Sequence, residues 1–149
     1  MFKKILCATD LNKTSRDVVK KSVQLAHQFD SKIIMLNIHE EFMTKEEMGM
    51  LRVSIDKMKL VFEKIALKAK NEMKELIQKL HAEEILVEYV IKEGKAQHII
   101  CDESKKVQAD LIVMGNSEKN IITDIFFKST SVFVIDHVDV PVLIVPNKS

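Results

Sequence analysis

The 149-residue sequence is poor in the residues that bend, cross-link or cradle phosphates: three glycines, two prolines, two cysteines and no tryptophan. The glycines stand at 49, 94 and 115, none within twenty residues of another. A dinucleotide fingerprint or a Walker loop needs clustered glycines so that backbone N–H groups can approach phosphates, and both motifs are excluded. Two widely separated cysteines make no disulfide framework. Cys7 lies in an apolar run and Cys101 in a helical one, and both read as small buried hydrophobes. No run reaches the ~20 apolar residues of a membrane span. The opening MFKKILCATD meets an acid too soon for a secretory leader. A cytoplasmic location is therefore expected. Charge of one sign is also lacking: the net charge is +1, with 30% of residues charged. That balance leaves no electrostatic footprint for nucleic acid or an anionic membrane surface.

What is present is a 46% hydrophobic chain of a length that suits one domain, 1–149. Apolar runs predict strands at 3–9, 32–38, 84–91, 111–115 and 142–146. Between the first two, Val18, Val19, Ser22, Leu25, Ala26 and Phe29 recur at helical spacing, with Asn12 or Thr14 as the cap. Residues 95–107 and 128–138 read as two further helices. Ahead of the third strand, Met48, Leu51, Ile55, Met58, Phe62, Ile65 and Ala69 step by threes and fours, and Met73, Leu76 and Leu80 continue them. The stepping resembles a coiled-coil seam, but a sheet-covering helix is the favoured reading. It is longer than any strand it can cover, so residues 42–56 are expected to overhang or bend, with Gly49 the weak point. Strands alternating with helices, joined by short connections, predict an α/β fold. The expected form is a doubly wound, five-stranded, parallel, Rossmann-like sheet with helices on both faces.

Most chemical motifs fail on inspection. His98 and Cys101 lie one helical turn apart, but no third metal ligand accompanies them. Asp136 and His137 are adjacent without a serine elbow, and read as solvent-facing. Met35, Met43, Met48, Met50 and Met58 could form a pliable surface, but core filling is the favoured reading. There remains the crevice beyond the carboxyl ends of the strands, where open parallel sheets bind ligands. Asp10 ends the first strand and Gly115 the fourth. Ser129 and Ser131 begin the last helix, whose free N–H groups suit an anion. Each has an ordinary explanation as a turn or capping residue, but together they mark one place.

KKILCATD, VVKKSVQLAHQFDSKIIMLNIH, YVIKEGKAQHII, ADLIVMGNSEKN and DVPVLIVP resemble the universal stress protein family, over the whole chain. The resemblance implies strand order 3-2-1-4-5, a stress or adaptation role, and a homodimer in which the last strand pairs antiparallel with its twofold mate. ATP-binding members carry Gly-x2-Gly-x9-Gly-[Ser/Thr] after the fourth strand. Laid on this chain, the pattern falls on Gly115, Glu118, Lys128 and Ser129, so two glycines are lost. Asp10 matches the family's acid after the first strand. Ala8 and Ile38 fall where adenine is expected, and Met114 precedes the loop. A glutamate ~5 Å from a phosphate would repel it by roughly 3 kcal/mol at an effective dielectric of 20, and Lys128 at similar range would return as much. Geometry weighs more: a non-glycine residue forced to positive φ costs about 1–2 kcal/mol.

Three functions compete. The first is a dimeric stress-response regulatory protein that contacts other proteins and binds ATP weakly or not at all. The second is an ATP-binding switch of the same family, with ATP or another adenine nucleotide as its ligand. The third is a nucleotide-dependent enzyme, which is disfavoured because 10-DLNKTS-15 lacks the clustered Gly/Ser or His phosphate motif of such enzymes. No catalytic residue and no metal ligand is assigned.

Overall fold

The computed structural model describes residues 1–11, 15–39, 45–115 and 130–146. The chain order is β1 (Lys4–Ala8), α1 (Ser15–Phe29), β2 (Lys32–His39), α2 (Lys45–Met50), α3 (Ile55–Lys79), β3 (Val87–Glu93), α4 (Ala96–Val107), β4 (Leu111–Gly115), α5 (Thr130–His137) and β5 (Val142–Val145). The five strands form one sheet of order β3-β2-β1-β4-β5, and every adjacent pair is parallel. The predicted fold class and strand order are both observed. No helix among the described residues is long and apolar enough to cross a membrane.

Side-chain alternation sorts the core into two layers. Ile5, Cys7, Ile33, Met35, Leu111 and Val113 face α1 and α3, where they meet Val18, Val19, Met73 and Ile77. Leu6, Ile34, Leu36, Ile112 and Met114 face α4 and α5, where they meet Ile100, Cys101 and Val134. With both faces covered, the strands read as continuous apolar runs, which is why they were legible. At the amino end of the sheet, Asp110 accepts from the Lys3 and Lys4 N–H groups at 2.8 and 3.0 Å and fixes β1 beside β4.

Two elements depart from expectation by more than one residue. β3 begins at Val87 and ends at Glu93 because its ladder follows β2, from Ile33↔Val87 to His39↔Glu93. Gly94 then takes φ 141°, a conformation that favours glycine, and starts the turn into α4. The long helix is interrupted, but not at Gly49. α2 ends at Met50, Arg52 adopts φ 54°, and Ser54 caps a new helix by accepting from the Lys57 N–H at 3.1 Å. A serine N-cap stabilises a helix start by about 1 kcal/mol, and here it overrides the continuous apolar spacing. The last helix is described from Thr130, so its predicted start at 128 lies outside the described residues, as do the proposed caps Asn12 and Thr14.

The methionine reading also needs correction. Of the five considered, only Met35 is buried; Met48 and Met58 are half-buried, Met50 is 84% exposed and Met43 lies outside the described residues. Met48, Met50 and Met58 sit in the helical segment that overhangs the sheet, so matching a core spacing does not bring them to a core.

Candidate functional site

β1 and β4 are neighbours in the sheet, yet β1 connects onward to β2 on one side and β4 to β5 on the other. The chain therefore diverges at their carboxyl ends, the place where open parallel sheets bind ligands. Ala8 pairs with Leu36 on one side and Met114 on the other. Ile38 lies two residues beyond Leu36 on β2, so it shares that face and extends past the end of β1. Ala8, Ile38 and Met114 thus come together on the α4/α5 side, Met114 within the core cluster and the other two packed against it half-buried. Ala8 and Ile38 were predicted to lie where adenine is expected and Met114 to precede the loop, and the sheet places the three on one apolar floor.

Asp10 lies two residues beyond β1 and is exposed. Its position is set by a residue that the sequence reading passed over. Asn37, 1% exposed, donates through Nδ2 to the Thr9 carbonyl at 2.8 Å. The Thr9 N–H is bound to the Leu36 carbonyl at 2.9 Å, and the Thr9 hydroxyl accepts from the Leu11 N–H at 3.2 Å. Leu11 then takes φ 63°, which turns the chain sharply beyond the strand. Asn37 therefore anchors β1's exit. Its Oδ1 is buried without a partner, as is His39 Nε2 two residues on. The available signal was one amide within the otherwise apolar KIIMLNI.

Gly115 ends β4, and its lack of a side chain has a packing reason. An added Cβ would stand 3.3 Å from Val18 Cγ2 of α1, tighter than ordinary van der Waals contact. Ser131 lies in the first turn of α5 and is buried. Lys128 and Ser129, like Glu118, lie outside the described residues. The structure thus unites Ala8, Ile38 and Met114, sets Asp10 and Gly115 at the adjoining strand ends, and puts Ser131 in the helix that follows β4.

Other titratable groups have structural surroundings. Burial pushes the Cys7 thiol up to about 11, partly offset by a hydrogen bond with Ser22. The Cys101 thiol is raised by burial and the nearby Asp102 charge, against a smaller effect of Lys105. Both cysteines are free thiols. His98 packs edge-on to Phe133 at 5.0 Å, and Phe133 stacks on His137 at 3.9 Å. A groove of about 520 Å³ lies between α1 and α3, lined by Leu11, Ser15, Arg16, Glu72, Glu75, Leu76 and Lys79. Its two carboxylates are balanced by Arg16 and Lys79, and it contains none of the predicted site residues.

Known proteins match this architecture along its length. Universal stress protein Sll1388 of Synechocystis sp. is 25% identical over 154 residues, covering 97% of each chain. A universal stress protein UspA structure from Lactobacillus plantarum superposes with a TM-score of 0.75 at 20% identity, over 97% of each chain. A universal stress protein solved in complex with cAMP superposes with a TM-score of 0.72 at 18% identity, over 99% of this chain and 98% of the other. At these identities the two structural likenesses establish the fold alone. The family model described as the Universal stress protein family matches residues 1–146. The chain belongs to the universal stress protein family.

Proposed function

We propose that the protein is a dimeric stress-response regulator that works in the cytoplasm through protein contacts, without catalytic turnover, and binds ATP weakly or not at all. The observation that carries the nucleotide part is the shared face of Ala8, Ile38 and Met114, ending beside Asp10 and Gly115. It supplies an apolar floor for a base, whereas Glu118 and Lys128 replace glycines in the segment that would wrap the phosphates. Adenine-nucleotide binding by this family fold is supported by the neighbour solved with cAMP. A ligand with one phosphate depends less on the altered loop than ATP does, which favours such a nucleotide as the second reading.

Calorimetry tests this directly. ATP is expected to bind at ~0.1 mM or weaker, and Glu118→Gly with Lys128→Gly to tighten it. Micromolar ATP affinity in the unaltered protein overturns the reading. A parallel assay for ATP hydrolysis or pyrophosphate release is expected to show no turnover.

The dimer rests on β5, an edge strand of the sheet. Its main chain offers an apolar strand edge of the kind proteins cover or pair. Val142 and Ile144 pack against the α4/α5 core, while Leu143 is 37% exposed. Leu143→Lys therefore separates assembly from folding better than Ile144→Lys. Sedimentation is expected to show a dimer that Leu143→Lys weakens; a monomer at tens of micromolar, on the order of a weak-dimer constant, counts against it.

A further inference from the structure

The heptad-spaced stripe ahead of β3 is only partly used by the fold. Within α3 the buried residues are Ala69, Met73 and Ile77; none of α2 and none of residues 55–68 is buried. Yet Ile55, Met58, Phe62 and Ile65 continue the same side of α3 at intervals of three and four, with Leu51 ahead of them beyond the break at Arg52. Leu51 and Ile55 are 62% and 67% exposed, and the other three are half-buried. α3 joins β3 at its C-terminal end, so its unanchored half points toward the carboxyl ends of the strands. At 1.5 Å per residue α3 is ~37 Å long, against ~23 Å for seven residues of β3. About 14 Å of apolar seam, roughly two and a half turns, therefore rises past the sheet.

The charges beside the seam select what can cover it. With Ile55 and Phe62 at a positions and Met58 and Ile65 at d, the e positions of α3 hold Lys59 and Ala66, and the g positions hold Val61 and Lys68. Lys57 and Lys64 stand next beyond g, while the acids Asp56 and Glu63 lie one position outside e. The two ion pairs seen among the described residues, His27–Glu84 and Lys32–Glu88, involve none of these four cations. A second copy packed in parallel, with each g facing the e five residues on, would set Lys59 against Ser54 and Lys68 against Met73; an antiparallel copy would set e against e and g against g. Neither arrangement gives either lysine a carboxylate within the seam, and e and g charges govern partner choice. The complementary occupant is a helix with an apolar seam flanked by carboxylates, with Phe62 as the aromatic anchor.

We propose that the seam from Ile55 to Ile65 is a docking surface for an acidic amphipathic helix of a partner protein. It deepens the reading that the protein acts through partner contacts and is independent of whether nucleotide binds. The probe is a synthetic helical peptide with leucine at a and d and glutamate at e and g, compared with a twin carrying lysine for glutamate. Both are titrated into the full chain by calorimetry, with amide-shift mapping. The glutamate peptide is expected to bind at least about tenfold tighter than its twin, more weakly as salt rises, with shifts confined to residues 55–68. Phe62→Asp is expected to weaken it about tenfold or more. Lys59→Glu with Lys68→Glu, both at exposed positions, is expected to reverse the preference and stays informative if Phe62→Asp unfolds. Equal binding of both peptides, no binding, or shifts elsewhere overturns the proposal. So does arm-to-arm cross-linking of the peptide-free chain, or preferential binding to phosphatidylcholine–phosphatidylserine vesicles. None of these outcomes alters the calorimetric test of nucleotide or the sedimentation test of β5, so the two readings fail separately.

Discussion

The sheet and the helical arm that passes its end draw on the same apolar residue types and place them in opposite environments. Ile5, Leu6, Cys7, Ile33, Met35, Leu36 and Val113 are completely enclosed, whereas Met50, Leu51, Ile55, Leu60 and Leu67 keep between 59% and 84% of their surface. Composition does not separate these sets. The central strands have a ladder partner on each side and a helix layer on each face. The arm has a layer beneath only its last turns, from Ala69 onward. A hydrophobic side chain contributes to stability in proportion to the area it loses to water, so the arm's residues contribute little to the fold and remain available for contacts.

The largest test of that contrast pairs two leucines. Leu36→Ala empties a fully enclosed site and is expected to cost about 2–5 kcal/mol, while Leu60→Ala on the arm is expected to stay within ~0.5 kcal/mol. Denaturant titration measures both, and amide exchange should be faster through 45–68 than in β1, β2 and β4. Comparable losses at Leu36 and Leu60 would break the distinction.

A titration probes the dryness of the enclosed region. The Cys7 thiol is raised from 9.0 to about 11 in the folded protein. Between those values the unfolded chain has released the proton that the folded chain retains. Stability is therefore unaffected below pH 9 and falls as pH rises toward 11, by up to about 1.4 kcal/mol per pH unit. Cys7→Ala should lack this component, as read from denaturation curves across that window. A wild type and variant with parallel pH profiles would show that Cys7 is hydrated.

The smallest effect sharpens the boundary between the sheet and the candidate site. Asn37→Ala removes the side-chain donor from the Thr9 carbonyl, and is expected to cost about 1–3 kcal/mol. Amide shifts should follow the chain from Thr9 to Leu11. Unchanged shifts there would mean that Asn37 does not position Asp10.

The strands could be read from the chain because burial on both faces writes itself as continuous apolar text. β3 was displaced by two or three residues because its limits are set by the length of β2, not by its own composition. The helix break was carried by Ser54, a capping signal weaker to the eye than Gly49 yet stronger in energy. In the candidate site, Asp10 and Gly115 were legible as the residues that end strands. Asn37 was not, because its partner carbonyl lies on a different strand.

The sequence by itself determined the period of every element, the near-neutral surface and the altered glycine pattern after β4, since these depend on residue identity and spacing along the chain. Only the tertiary structure decided which apolar residues are enclosed, that Ala8, Ile38 and Met114 share one floor, and that Gly115 faces Val18. Those outcomes depend on the register between strands and on where a helix outruns its sheet. Both are relations between segments distant in sequence, set by ladder pairing and close packing.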